Sequence, residues 1–277
     1  MMENLLPPSG DEREWILREH LQRLVLYVMA RSGLYAKYTL QGGTALRLVY
    51  GSPRLSLDLD FTFEGDINVA VKDSEEIRNQ VERLLASENI KVHVSGSKLD
   101  VAGGFYRYFL VFDTQRLLGR KTRIKVEVLR RRYSSSYYEL KTVGVSFPYS
   151  TVVGVRVKRL GCILADKVCS LAGGWHRGFI RWRDVFDIYW AREKGATLNK
   201  GYLFEEFGSY VERLDDLLGA TNFIRGILEK KDYKRIVDEL SRLLNPSLVD
   251  YVLVEKYLLA TLDVLGEAVE VLRNEAK

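Results

Sequence analysis

The chain has 277 residues, 47% of them hydrophobic and 29% charged, which is the balance of an ordinary globular protein. Its formal net charge of +5 favours an anionic partner such as nucleic acid, although a basic surface without such a partner is an equal alternative. The three histidines and two cysteines are not at zinc-ligand spacing, and no apolar run approaches the ~20 residues that span a bilayer. The first residues are polar and acidic, unlike a signal peptide, so we expect a cytoplasmic protein.

The first half of the chain alternates helices and strands. Apolar residues at helical spacing predict a helix over residues 11–31, and a short strand follows at 38–41. A glycine pair then leads into a helix predicted at 44–50. Further along we predict a strand at 57–63, a helix from Asp73 or Ser74 to 87, strands at 90–95, 106–112 and 122–129, and extended segments at 143–147 and 152–157.

The second half is predicted to be helical throughout. One helix covers 159–172 and ends at the pair Gly173-Gly174, and the next covers 180–192 and ends at Gly195. Further helices are predicted at 202–218, 221–228, 233–244 and 247–273. This change of pattern predicts a mixed α/β domain over residues 1–157 and an α-helical domain over residues 158–277.

The pair Gly42-Gly43 lies between a predicted strand and a predicted helix. Glycines at such a position let backbone N–H groups approach a phosphate, and the start of a helix attracts negative charge. Close packing is the more common reason for a glycine pair. The segment has neither the Gly-Lys-Ser/Thr of a Walker A loop nor the GxGxxG dinucleotide pattern.

Two aspartates alternate with apolar residues in the strand predicted at 57–63. Alternation sends Asp58 and Asp60 to one face and their apolar neighbours to the other. Two adjacent carboxylates repel each other unless a cation or a proton lies between them. Mg²⁺ prefers hard oxygen ligands and shares its shell with substrate phosphates, so the pair is a candidate metal site. Solvated aspartates on an exposed sheet face are the alternative.

A third carboxylate lies on the strand predicted at 122–129. Alternation places Arg123, Lys125 and Glu127 on one face of that strand. If this strand neighbours the strand of Asp58 and Asp60, Glu127 completes a set of three carboxylates for a two-metal site. A cross-strand ion pair between Glu127 and a surface lysine is the alternative.

The combined pattern resembles a known enzyme family. Residues 41–61 read QGGTALRLVYGSPRLSLDLDF, residues 165–167 read ADK, and residues 183–189 read RDVFDIY. Together these motifs resemble the signature of the AbiEii/AbiGii-type nucleotidyltransferase toxins, which include the MenA-type toxins and belong to the DNA polymerase β-like nucleotidyltransferase superfamily. The resemblance implies an α+β fold, in which a polymerase β-like mixed-sheet core is followed by an α-helical domain that completes the active-site cleft.

The resemblance also implies a nucleotide-binding site. Gly42, Gly43 and Thr44 would hold the triphosphate oxygens of an NTP, although Thr44 departs from the Gly-Ser pair of the wider superfamily. Ser56 would contact phosphate or orient the metal site. Lys167 would neutralise charge on the triphosphate; from the residues alone, it could equally extend to solvent from an apolar helix.

The catalytic residues implied by the resemblance are all acidic apart from Lys167. Asp58 and Asp60 would bind one or two Mg²⁺ ions, with Glu127 as the third ligand. Asp184 or Asp187 would orient Lys167 or act as a base. From the residues alone, these two aspartates could also form an exposed pair with Arg181 or Arg183.

The implied activity is Mg²⁺-dependent transfer of a nucleoside monophosphate from an NTP to a hydroxyl group, with the 3′ end of a tRNA as the expected acceptor. The implied biological role is that of a toxin with a cognate antitoxin protein as its partner. Two alternatives stay open at this stage. The acceptor could be a protein side chain, or the chain could be a degenerate RNA- or protein-binding module.

Overall fold

The computed structural model describes residues 2–7, 10, 12–210 and 214–275, and these form two compact units. The first unit contains the residues up to Gly51 and Leu55–Lys158, and the second contains Ser52–Arg54 and the residues from Arg159 onward. Ser52–Arg54 therefore cluster with the second unit, although the residues on both sides of them belong to the first.

Within the described residues, the first unit contains one mixed sheet. Its strands are β1 (Tyr38–Gln41), β2 (Leu59–Phe63), β3 (Val92–Asp100), β4 (Phe105–Phe112), β5 (Thr122–Arg130), β6 (Tyr138–Val145) and β7 (Thr151–Lys158). They lie in the order β3-β4-β5-β2-β1-β7-β6. In the centre, β2 pairs antiparallel with β1 and parallel with β5. The condition on which the role of Glu127 depends, that the two carboxylate-bearing strands are neighbours, is therefore met.

The helices of the first unit are α1 (Glu12–Arg31), α2 (Gly42–Leu48), α3 (Ile67–Leu84) and the short α4 (Gln115–Leu118). The predicted first residue of α1, Asp11, lies outside the described residues. The predicted start of α3 at Asp73 or Ser74 is wrong. Asp66 caps this helix instead, because its carboxylate accepts a hydrogen bond from the backbone N–H of Asn68 at 3.0 Å.

The two faces of the central strands have different chemistry. Phe61 on β2 and Val126 on β5 are buried, and α1 and α3 pack against the sheet. Asp60 and Glu127 alternate with these residues and are only partly buried. The alternation of the sequence therefore gives the sheet an apolar side and a side that carries the carboxylates.

The second unit is α-helical, and one helix lies at its centre. Its helices are α5 (Leu160–His176), α6 (Trp182–Glu193), α7 (Lys200–Tyr210), α8 (Leu214–Lys230), α9 (Lys234–Leu240) and α10 (Tyr251–Glu275). α5 packs against α6, α7 and α8. α8 runs without a break, so the predicted interruption between residues 218 and 221 is wrong; residues 211–213 lie outside the described residues. None of the described helices is long and apolar enough to cross a membrane.

The glycine pair Gly173-Gly174 does not end α5 as predicted, because the helix continues to His176. Both glycines are buried. A Cβ atom on Gly174 would lie 2.8 Å from the backbone carbonyl oxygen of Phe179, closer than real Cβ contacts come. The backbone N–H of Phe179 donates to the Gly174 carbonyl at 3.0 Å. Gly174 is therefore required by the close approach of Phe179, in the segment that follows the helix.

We expect Gly174→Ala to lower the free energy of unfolding by about 1–3 kcal/mol, because the new methyl group meets backbone that must shift. Gly266→Ala is the matched control. Gly266 lies on an exposed position of α10, where a Cβ meets nothing within 4 Å. Alanine there should raise stability by about 0.5–1 kcal/mol through helix propensity. Urea unfolding of both variants checks this; equal stabilisation by the two substitutions would contradict it.

Candidate active site

The glycine turn, Gly42-Gly43, is in close contact with Asp60, the second aspartate of the motif. Gly42 has φ +71°, a left-handed conformation that favours glycine, and a Cβ atom there would lie 2.7 Å from Oδ2 of Asp60. Gln41 lies opposite Asp60 in the pairing of β1 with β2. The position of the Asp60 carboxylate therefore depends on the absence of a side chain at Gly42.

The segment that leads to Asp58 is held by two buried polar side chains. The Gln22 side-chain amide on α1 donates to the backbone carbonyls of Ser56 at 3.1 Å and Asp58 at 3.4 Å. The Thr44 hydroxyl on α2 donates to the Asp58 carbonyl and lies 2.9 Å from the Ser56 hydroxyl. Thr44 is fully buried. Its hydroxyl is occupied within the protein, so a phosphate contact of Thr44 would involve its backbone N–H.

Asp58 lies directly before β2, which starts at Leu59 and not at residue 57 as predicted. Asp60 is inside the strand and stands directly opposite Glu127 in the parallel pairing of β2 with β5. The structure thus brings the predicted third carboxylate next to the aspartate motif. Asp60 and Glu127 lie on two adjacent strands, and Asp58 is the residue directly before the strand of Asp60.

A lysine lies between two of these carboxylates. The Lys125 ammonium is 3.0 Å from Oδ2 of Asp58 and 3.3 Å from Oε2 of Glu127. Partial burial works to lower the pKa of Lys125, but the hydrogen bond and charge of Asp58, with the charges of Glu127 and Asp60, raise it above its usual value. The lysine is therefore held in its charged form and acts as a cation shared by Asp58 and Glu127.

The donor set suits a hard divalent cation. Asp58, Asp60 and Glu127 offer only carboxylate oxygens, the ligands that Mg²⁺ prefers, and the Lys125 ammonium already takes a cation's place between Asp58 and Glu127. Among the described residues, no group of three or more His, Cys, Asp or Glu side chains is already arranged around one metal position. The carboxylates therefore fit a metal ion by the chemistry of their oxygens and not by a preformed coordination geometry.

A second polar cluster lies in the α-helical unit. Lys167 on α5 is 2.8 Å from Oδ1 of Asp184 and 2.8 Å from Oδ2 of Asp187, both on α6. The Ser170 hydroxyl donates to the other oxygen of Asp184 at 2.7 Å. Lys167 and Ser170 are three positions apart on their helix, as Asp184 and Asp187 are on theirs, so each pair shares a helix face. The predicted partnership of Lys167 with these aspartates is therefore present.

The cluster is completed by Arg54, which belongs to the same unit. Its guanidinium makes a bidentate pair with Asp187, with Nε at 2.6 Å from Oδ1 and the terminal nitrogen at 2.9 Å from Oδ2. The Arg54 side chain is 4% exposed and that of Asp187 is 0% exposed. Two cations and two carboxylates therefore balance one another inside the protein, and the alternative of an exposed aspartate pair on α6 is wrong.

The protonation states of this cluster follow from its contacts. Burial works to raise the pKa of Asp187, but the charges of Arg54 and Lys167 and their hydrogen bonds lower it to about 2. Burial likewise works to lower the pKa of Lys167, and the charges of Asp184 and Asp187 raise it above its usual value. Asp187 is thus a permanently ionised partner, which suits orientation of Lys167 better than the work of a base near neutral pH.

Sequence reasoning did not identify Arg54 or Gln22 as residues of these sites. Arg54 was visible only as one letter of the motif before Asp58, and its partner Asp187 lies 133 residues away. Gln22 interrupts the apolar stripe of α1, and a polar residue among buried neighbours is a signal of a specific hydrogen bond. From the sequence, Lys125 is identified only as a residue on the same strand face as Glu127.

Comparisons with known proteins agree with this architecture. A family profile described as "Nucleotidyl transferase AbiEii toxin, Type IV TA system" matches residues 24–255. A comparison with curated protein sequences gives no significant match. Two similar solved structures are JHP933 from Helicobacter pylori and MenT4, a nucleotidyltransferase toxin from Mycobacterium tuberculosis. JHP933 has TM-score 0.56, 20% identity and 96% coverage of each chain. MenT4 has TM-score 0.57 and 15% identity, and the match covers 96% of this chain and 88% of that protein.

We expect Arg54→Met to lower the free energy of unfolding by about 3–5 kcal/mol, because it leaves the buried Asp187 carboxylate without its bidentate partner. Arg78→Met is the matched control. Arg78 pairs with Glu75 and Glu82 at 3.2 Å on the surface of α3, and its loss should cost less than about 1 kcal/mol. Urea unfolding of both variants is the measurement, and a similar small cost for both would contradict the buried network.

The ion pairs of Asp187 should also make stability depend on acid pH. The pKa of Asp187 is about 2 in the folded protein, below its usual value of 3.8, so the unfolded chain binds more protons between these values. The contribution is fully present above about pH 4, and about 2 kcal/mol should be lost as the pH falls to 2. Unfolding free energies should be measured from pH 5 to pH 2 for the wild type and for the double variant Arg54→Met/Asp187→Leu. The wild type should lose more; parallel curves would contradict the assignment.

Proposed function

Because the chain belongs to the AbiEii family of nucleotidyltransferase toxins of type IV toxin–antitoxin systems, we propose that it transfers a nucleoside monophosphate from an NTP to a hydroxyl group at the 3′ end of a tRNA, with Mg²⁺ as its cofactor. Family membership implies a nucleotide substrate and an antitoxin partner. The proposal adds the triphosphate, the metal, the RNA acceptor and action in the cytoplasm.

The observation that carries the proposal is the carboxylate cluster of the first unit. Asp60 stands opposite Glu127, and Asp58 and Glu127 converge on one positive charge, the Lys125 ammonium. In the proposed function Asp58, Asp60 and Glu127 hold the metal. When bound, Mg²⁺ would supply positive charge against the triphosphate and lower the pKa of the attacking hydroxyl.

The triphosphate would be held by residues with N–H groups or positive charge. Gly42 and Gly43 bring the backbone at the start of α2 close to the carboxylates, and Gly42 lies next to Asp60. Thr44 would add its backbone N–H, since its hydroxyl donates to the Asp58 carbonyl. Ser56 would act mainly by supporting the Asp58 segment, because its hydroxyl is paired with that of Thr44.

The reaction forms one bond to phosphorus and breaks another. The oxygen of the acceptor hydroxyl attacks the α-phosphorus, and the bond from the α-phosphorus to the oxygen that bridges to the β-phosphate breaks. Pyrophosphate leaves with that electron pair. The hydroxyl proton passes to a carboxylate of the cluster or to water. A new phosphodiester joins the nucleotide to the acceptor, and no oxidant or reductant is needed.

The cluster around Lys167 is assigned to charge neutralisation on the triphosphate. Asp184 and Asp187 hold the Lys167 ammonium in place from α6, and Arg54 balances the remaining charge. The low pKa of Asp187 supports orientation over proton transfer as its role.

The test is incubation of the protein with each labelled NTP, Mg²⁺ and total tRNA. We expect label on RNA from the wild type and a loss of at least about 100-fold in Asp58→Asn and Asp60→Asn, because the carboxylates are needed for the metal. Asp263→Asn is the matched control. Asp263 is an exposed aspartate on α10, and its loss should leave transfer unchanged.

The outcomes separate the proposed acceptor from other acceptors. Label on a protein band and none on RNA would replace the tRNA with a protein acceptor. Absence of transfer to any acceptor, with the wild type indistinguishable from Asp58→Asn, would overturn the proposal. RNA binding that needs no nucleotide and survives Asp60→Asn would then indicate a binding module.

A further inference from the structure

We propose that Lys125 is a built-in counter-ion of Asp58 and Glu127, which a divalent cation has to displace, so that Lys125 sets the metal concentration at which the site fills. This inference rests on the proposed function, which assigns the metal to these carboxylates. It adds a residue that controls loading of the metal.

The position of Lys125 follows from the strand register. Leu59 pairs with Val126 and Asp60 with Glu127, so Asp58 and Lys125 are the residues directly before the first pair of this parallel pairing. Lys125 and Glu127 are two positions apart on β5 and share a face. The ammonium is therefore 3.0 Å from Asp58 and 3.3 Å from Glu127, and it bridges the two strands.

A metal ion and the ammonium need the same oxygen atoms. Lys125 contacts Oδ2 of Asp58 and Oε2 of Glu127, and these oxygens would also bind a cation held jointly by the two carboxylates. Both carboxylates are partly withdrawn from water, with side chains 28% and 30% exposed. In the absence of metal they require a positive charge nearby, and Lys125 supplies it. A metal ion then has to compete with the Lys125 ammonium, which is part of the protein and always present at the site.

An ordinary cross-strand ion pair would behave differently. Such a pair stabilises the fold to the same extent with and without metal, and its removal leaves metal affinity unchanged or lowers it. Lys141 on β6 offers a comparison in the same sheet, since its ammonium lies 3.5 Å from Glu139 of the same strand and the pair is outside the candidate metal site. Removal of the charge at Lys125 should instead strengthen metal binding.

The experiment measures Mn²⁺ binding, followed through the signal of free Mn²⁺ by electron paramagnetic resonance, with thermal unfolding as a second readout. We expect Lys125→Met to lower the Kd for Mn²⁺ by about tenfold, because the competing ammonium is gone. Without metal, Lys125→Met should unfold at a lower temperature than the wild type, and Mn²⁺ should raise its unfolding temperature by more. Lys125→Arg and the control Lys141→Met should bind Mn²⁺ like the wild type.

Lys125→Gln provides a second neutral variant in case Lys125→Met does not fold, since its amide can still donate to the carboxylates. If the wild type binds Mn²⁺ and the neutral variants bind it with the same or lower affinity, the inference is overturned and the proposed function stands. If neither the wild type nor the neutral variants bind Mn²⁺, the metal part of the proposed function and the inference are overturned together.

Discussion

Carboxylates withdrawn from water and placed close together must be neutralised, and this requirement governs the polar residues of both units. In the α-helical unit, Arg54 and Lys167 face Asp184 and Asp187, so two positive charges balance two negative ones. In the sheet unit, Lys125 is a single positive charge shared by Asp58 and Glu127. The first arrangement pairs two cations with two carboxylates, whereas in the second one lysine contacts two carboxylates.

Hydrogen bonds to the backbone and close packing also position the carboxylates. Asp58 lies just outside β2 and has no strand pairing of its own, but its carbonyl accepts hydrogen bonds from Gln22 and Thr44, on two different helices. Asp60 is placed by the strand and by the missing side chain of Gly42. Such support fixes the carboxylates before any substrate arrives, which is the condition under which charged groups are most effective in catalysis. The glycine turn therefore serves the carboxylates directly, in addition to its proposed contact with phosphate.

The sequence predicted those parts of the site that depend on local pattern. Alternation of apolar and polar residues placed Asp60 and Glu127 on one side of their strands, and the strand register confirms that they are neighbours. Contacts between segments that are far apart in the chain could not be predicted, because nothing in the local pattern around Arg54 indicates Asp187 as its partner. Helix ends were predicted where glycine occurs, but Gly174 lies inside α5 because the Phe179 backbone packs against it. The local pattern also predicted the wrong start for α3, because a single carboxylate, Asp66, caps the helix at its first turn.

The two clusters differ in their exposure to solvent. Asp184 and Asp187 have side chains 2% and 0% exposed, and Lys167 is 12% exposed, so breaking their ion pairs would leave a buried charge without a partner. Asp58, Lys125 and Glu127 are each close to 30% exposed, so their ion pairs can open at a modest cost and the oxygens can meet a new cation. The carboxylates of the sheet are therefore the ones that solvent can reach. The buried cluster keeps Lys167 charged, because the charges of Asp184 and Asp187 raise its pKa above its usual value.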